Sequence, residues 1–239
     1  MKNMRILWRT RVVAGIILAG VALAACASAG AGTGVPVRYE DPAPAVGGFL
    51  GATLHLSGSM WAMSIDQESE MPVLERLNED KAVYSDFGVS GTFANGQLAF
   101  SMGSPAPSFL EPIVYMFLYQ EDAVFSRVFY RDLSINAPET MFAILAVLDA
   151  SNKGFSRQYF SDTEQNIVAY VYVDRDVTIT AAGTTLSKWD RTVITDDLDI
   201  TLRAGWNALH SRMTWYDEIV RSITLGDPPH LRWVGVALQ

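Results

Sequence analysis

From residue 49 onward apolar and polar residues alternate with period two, and this alternation limits the chain to extended structure over most of its length. In Phe49-Leu50-Gly51-Ala52-Thr53-Leu54-His55-Leu56 the leucines at 50, 54 and 56 share one side, as they would on a strand whose successive side chains point to opposite faces. Runs of similar character, rich in aromatic and β-branched residues, occupy 60–65, 167–173, 177–180, 192–195, 198–202, 208–215 and 231–238. The best-defined local signal is Asn95-Gly96, the favoured pair for a type I′ turn, because both central residues of that turn need positive φ. A two-residue loop there predicts that Ala94 pairs with Gln97 and Phe93 with Leu98. Phe93, Leu98, Phe100 and Met102 then fall on a common apolar side.

Other stretches are less regular. Residues 113–119 are apolar almost throughout and predict a strand buried on both faces, with 124–130 as the next strand after Gln120-Glu121-Asp122. Asn136-Ala137-Pro138-Glu139 has the form of a helix N-cap, and Met141, Phe142, Ile144, Leu145, Val147 and Leu148 then recur at intervals of three and four. A helix closing at Lys153-Gly154 is expected there, with two short strands as the alternative reading. Residues 72–78 suggest a shorter helical turn. The expected fold is mainly β, an antiparallel sandwich or partly closed barrel with one or two short helices, in a single domain over 49–239.

The first 48 residues follow different rules. Lys2, Arg5, Arg9 and Arg11 precede an apolar run of 14 residues, Val12 to Ala25, and no acid interrupts them. A membrane-crossing helix needs about 20 apolar residues, so the layout is that of a signal peptide. Ala22-Leu23-Ala24 would serve an ordinary secretory peptidase. Leu23-Ala24-Ala25-Cys26, however, resembles the lipobox of bacterial lipoproteins. That resemblance implies removal of residues 1–25, a diacylglycerol thioether on Cys26 and an N-acyl chain on its new amino terminus. Ala27 stands where an aspartate favours inner-membrane retention in enteric bacteria, so the resemblance favours the outer membrane. Residues 26–48 then form a lipidated cysteine and a flexible tether rich in Ala, Ser, Gly and Pro. About 20 such residues span roughly 25 Å.

Cys26 is the only cysteine, so the domain beyond it has no disulfide and depends on its core. The four leader cations leave 14 of the chain's 18 Lys and Arg to face all 26 Asp and Glu, a formal charge of −12. Such a balance argues against nucleic acid as a partner. The membrane is reached through the lipid, and a protein or glycan partner stays open.

No nucleophile elbow, zinc-protease, P-loop or dinucleotide motif occurs in the sequence. His55, His210 and His230 are the only histidines, each isolated along the chain. Asp174 and Asp176 flank Arg175, and Asp197 and Asp199 lie in a second acidic stretch; were the two loops to meet, their carboxylates could ligate Ca²⁺, although neither has full calcium-loop spacing. Solvated turns are the plainer reading. Of the tryptophans at 61, 189, 206, 215 and 233, most should fill the core. Trp206, in Leu202-Arg203-Ala204-Gly205-Trp206-Asn207, either folds back over the core edge or faces a partner. With Trp61 and Trp189 it is a candidate for glycan stacking.

Residues 170–180 (Y-V-Y-V-D-R-D-V-T-I-T) and 197–207 (D-L-D-I-T-L-R-A-G-W-N) are together similar to a C-terminal pattern in uncharacterised β-sandwich lipoproteins of spirochaetes and related bacteria. Its distinctive piece is Gly205-Trp206-Asn207. The similarity implies fold and location and transfers no catalytic residue. Three functions remain open: a non-catalytic envelope lipoprotein with a binding or structural role; a carrier enclosing an apolar ligand among side chains such as Phe117, Phe129 and Met141; and a secreted hydrolase with two carboxylates, one of them buried.

Overall fold

The computed structural model describes residues 48–65, 72–77, 81–118, 129–149, 154–161, 163–188 and 191–236. Nearly all of them lie in strands or the turns between strands. Among the described residues the helical elements are a 3₁₀ turn at Pro107–Phe109 and one turn at Tyr115–Leu118.

Both of the expected architectures are present, fused through shared strands. A closed seven-stranded barrel comprises β2 (Leu54–Ile65), β4 (Lys81–Ser85), β5 (Ser90–Ala94), β6 (Gln97–Met102), β10 (Val147–Asp149), β11 (Gly154–Phe160) and β19 (Arg232–Val236), ordered β10-β4-β5-β6-β2-β19-β11 and back to β10. At β11 the sheet forks. Phe155 pairs with Val147 of β10, whereas residues 157–160 pair with β12 (Glu164–Val173). From β12 the sheet continues through β17 (Gly205–Trp215), β18 (Ile219–Leu225) and β15 (Arg191–Thr195) to β14 (Thr185–Lys188). A separate three-stranded sheet, β16 (Leu198–Leu202), β13 (Val177–Gly183) and β8 (Tyr130–Ile135), covers one side of that extension.

The ladder is antiparallel apart from two pairings. Strand β19 runs parallel to β2, with Trp233 opposite Met60, and β15 runs parallel to β18. A parallel neighbour needs a long connection, and β2 and β19 lie near opposite ends of the described chain.

The predicted hairpin forms as read: Asn95 and Gly96 have φ of 53° and 72°, and Ala94 pairs with Gln97 and Phe93 with Leu98. Phe93, Leu98, Phe100 and Met102 are all buried inside the barrel with Leu54, Met60 and Trp233. A second core lies between the extension and the three-stranded sheet, built from Val173, Leu209 and Ile223 on one side and Ile179, Ile200 and Leu202 on the other. Strand β12 divides the two cores. Val168 and Tyr170 pack with the barrel core, Val171 and Val173 with the sandwich core.

The expected helix does not form over the described residues 136–149, where the alternative of two short strands is found instead. Asn136 Oδ1 accepts the Thr178 backbone N–H at 2.8 Å, which ties it to β13. Thr140 closes a turn on the Ala137 carbonyl, and the chain then forms β9 (Met141–Ile144) and β10. Phe142 packs in one core and Leu145 and Val147 in the other. Burial on both sides thus produced an apolar spacing that imitates a helix face. The reverse error occurs at 113–119: after the short strand β7 (Glu111–Pro112) the backbone coils, and Ile113, Met116 and Phe117 are buried at helical spacing. Residues 72–76 form a strand, β3 (Pro72–Arg76), paired antiparallel with β2. Of the strand expected at 124–130 only Phe129 and Tyr130 lie within the described residues.

Candidate functional site

Cys26 and Trp189 lie outside the described residues. Trp206 is fully buried within β17, and its indole N–H donates to the Gly103 carbonyl at 3.0 Å, so it offers no stacking face to a glycan. The Gly205 beside it has φ 116°, and a Cβ there would meet the Gly51 carbonyl oxygen at 2.7 Å. Glycine is needed at this point for β1 (Phe49–Gly51) to pair with β17 alongside the tryptophan. Trp61 is half-buried on the barrel exterior, with the Arg232 guanidinium 4.4 Å from its ring centroid. Trp215 and Trp233 fill the sandwich and barrel cores.

The two acidic stretches stay apart. Asp174 Oδ1 accepts the Met141 N–H and Asp176 Oδ1 the Ala204 N–H, at the start of β13. Asp197 Oδ1 accepts the Gly183 N–H at the other end of that strand, and Asp199 faces Thr180 across the ladder. Seven residues at about 3.3 Å each separate the two ends. These side chains terminate loops, and no group of three His, Cys, Asp or Glu close enough to hold a metal occurs among the described residues.

The structure instead assembles a polar cluster that no sequence motif signals. Residues 164, 166, 168, 170 and 172 of β12 share one face, apolar toward Tyr172 and polar toward Glu164. Alongside them lie Arg157 and Tyr159 of β11 and His210 and Arg212 of β17. The loop joining β18 to β19 adds Asp227 and His230. Asp227 accepts from Arg157 Nε at 2.5 Å through one carboxylate oxygen and from the Tyr170 hydroxyl at 2.7 Å through the other. Burial, and then the Asp227 charge, raise the Tyr170 phenol well above its ordinary value, so it remains a donor.

Beside this pair runs a directional chain. His210 Nε2 lies 2.7 Å from Asn166 Oδ1, Asn166 Nδ2 donates to Glu164 Oε1 at 2.9 Å, and Arg212 Nε donates to the same oxygen at 2.6 Å. Because an amide oxygen only accepts, His210 carries its proton on Nε2. Burial chiefly, then the positive potential of His230 and Arg212, depress His210 to about 4. His230 is also lowered by burial, and its Nδ1 is buried without a hydrogen-bond partner among the described residues. Both rings are neutral at pH 7. Two histidines isolated in sequence are thus brought together, and each carboxylate of the cluster is held by a guanidinium. The arrangement can hold a polar ligand by hydrogen bonds, but it presents no carboxyl without a cationic partner for acid catalysis.

A pH dependence follows from His210. Its folded value lies below the unfolded 6.5, so its contribution is complete above pH 6.5 and is lost as pH falls toward 4. Because the ring is half-buried, the full conversion is discounted, leaving about 1 kcal/mol lost between pH 7 and 5. Urea unfolding at the two pH values should show wild type losing that much more than His210→Gln; equal slopes would mean that His210 does not titrate this way.

No family model, no curated protein and no solved structure matches this chain.

Proposed function

We propose that the chain is an envelope lipoprotein, anchored by acyl chains on Cys26 and tethered by residues 27–48, whose β domain is a binding module. The observation that carries this reading is Leu23-Ala24-Ala25-Cys26 placed directly after four cations and a 14-residue apolar run. Ala27 after the cysteine favours the outer membrane. Each lipid CH₂ adds about 0.8 kcal/mol, so a diacylglycerol plus an N-acyl chain hold firmly where a single chain would not.

A cavity at the sheet fork, lined by Ile144, Phe155, Ile167 and Trp233 among others, measures about 60 Å³, whereas a ligand site takes roughly 300–1,000 Å³. Phe117 and Phe129, the suggested carrier lining, are buried in the sandwich core, and the Arg221 guanidinium lies 3.7 Å from the Phe129 ring centroid. For the hydrolase reading, the two carboxylates of the polar cluster, Glu164 and Asp227, are both engaged by arginine.

Cells fed radiolabelled palmitate should label the protein, and Cys26→Ala should abolish the label and release the chain from the membrane fraction. Continued labelling of the Cys26→Ala variant would overturn the anchor.

A further inference from the structure

The extension sheet has two faces, and among the described residues only one is covered. Leu186, Val193, Ile219, Ile223, Leu209 and Trp215 point into the sandwich core. The alternate residues of the same strands point the other way, and their pairings line them up across the sheet. Thr185 lies beside Ile194 and Ser187 beside Thr192; Ile194 lies beside Val220; Val220 lies beside Thr214, Ser222 beside Arg212 and Thr224 beside His210. All of these are exposed or half-buried, with Val220 at 36%. This uncovered face therefore carries six hydroxyls, Thr185, Ser187, Thr192, Thr214, Ser222 and Thr224, around one apolar spot made by Ile194 and Val220. At its β12 side it meets the His210–Asn166–Glu164–Arg212 chain.

We propose that this face binds an uncharged polysaccharide. The proposal rests on the reading of the chain as an envelope binding module and names its partner. Ser and Thr hydroxyls both donate and accept, as sugar hydroxyls do, so a row of them matches a polymer whose groups alternate the two roles. The Ile194–Val220 spot accommodates the C–H face of a sugar ring, in the way small-molecule sites pair apolar contact with a few fixed polar groups. Charge argues in the same direction. The chain is acidic, −8 overall, yet the charges along this face cancel in the pairs Glu164–Arg212 and Asp227–Arg157. An acidic polymer would be repelled by the whole molecule, and a basic one would find no excess negative charge here. Six strands, β14 to β11, at about 4.8 Å spacing make a platform roughly 24 Å across, long enough for several sugar rings in extended form.

The test uses the full chain in detergent micelles, mixed with insoluble chitin, cellulose and starch and then sedimented. Retention is expected on at least one, with release by soluble oligosaccharides of the same sugar. The double variant Ser222→Glu/Thr224→Glu should lower the retained fraction at least tenfold, while Ser134→Glu, exposed on the three-stranded sheet, should leave it unchanged. Retention on none of the three polymers, or retention that both variants share with wild type, overturns the proposal. So does binding confined to an acidic polymer such as alginate. Competition on the wild type needs no variant, so a misfolded mutant would not rescue the idea. Cys26→Ala should still be retained by the polysaccharide, so a failed anchor and a failed glycan site give different results.

Discussion

Trp206→Ala is expected to lower the unfolding free energy by about 3–5 kcal/mol, the range for emptying a fully buried tryptophan site. The ring is 0% exposed, meets Tyr172 edge-to-face at a centroid distance of 5.6 Å and approaches Phe87 at 6.5 Å. It forms part of the barrel core together with Tyr170 and Ala208. Strand β1 pairs with β17 at Trp206, where Gly51 and Gly205 approach closely, so a backbone shift that filled the vacated space would disturb that pairing. The lost hydrogen bond to Gly103 is the smaller part, because that residue is exposed and water can replace the indole donor. Trp206→Phe should therefore recover more than half of the loss. Urea unfolding measures this, through a lower midpoint at unchanged slope. Had the tryptophan been a stacking platform, the alanine variant would keep its midpoint and lose only ligand binding.

How far the sequence reveals this fold depends on whether the determining contact is local. The hairpin at Asn95-Gly96 is fully legible, since turn chemistry and alternation over a dozen residues fix its register. The division of labour along β12 is also legible, with Tyr170 and Tyr172 on one side and Val171 and Val173 on the other. The apolar spacing over 141–148 does not make a helix, because its residues face two different cores. Strand β11 gives little signal, because Ser156, Arg157 and Gln158 interrupt its apolar pattern. Arg157 faces inward only because its partner, Asp227, arrives 70 residues later. The same distance effect hides the barrel's closure, where Trp233 pairs with Met60. It hides the candidate site too: nothing near Asp227 or His230 marks them except the Asp227-Pro228-Pro229-His230 loop, a turn signal without chemistry.

Asp227 is held by that hidden geometry on two partners at once. Its carboxylate bridges Arg157 and Tyr170, and the two side chains of the ion pair are 24% and 13% exposed for Asp227 and Arg157. Removing one partner of a fully buried pair costs about 3–5 kcal/mol, because the other charge stays behind without compensation. The residual exposure lets water recover part of this, so Asp227→Ala is expected to cost about 2–3 kcal/mol. Asp227→Asn retains an acceptor for Tyr170 and the shape of the loop, and should cost less than half as much. The decisive comparison is Arg157→Met combined with Asp227→Ala: with both polar partners gone, the pair's place is filled by packing, and the double variant should be more stable than Asp227→Ala alone. A simple surface ion pair behaves differently, losing under about 1 kcal/mol and becoming insensitive in high salt. The loop that Asp227 pins leads directly into β19, the strand that closes the barrel against β2. Loosening it should therefore speed amide exchange at residues 232–236 more than in the β5–β6 hairpin across the barrel, because a strand docked by its preceding loop opens with that loop. Equal exchange in the two places would mean that the barrel seam is held by β-ladder pairing alone and that Asp227 merely decorates its rim.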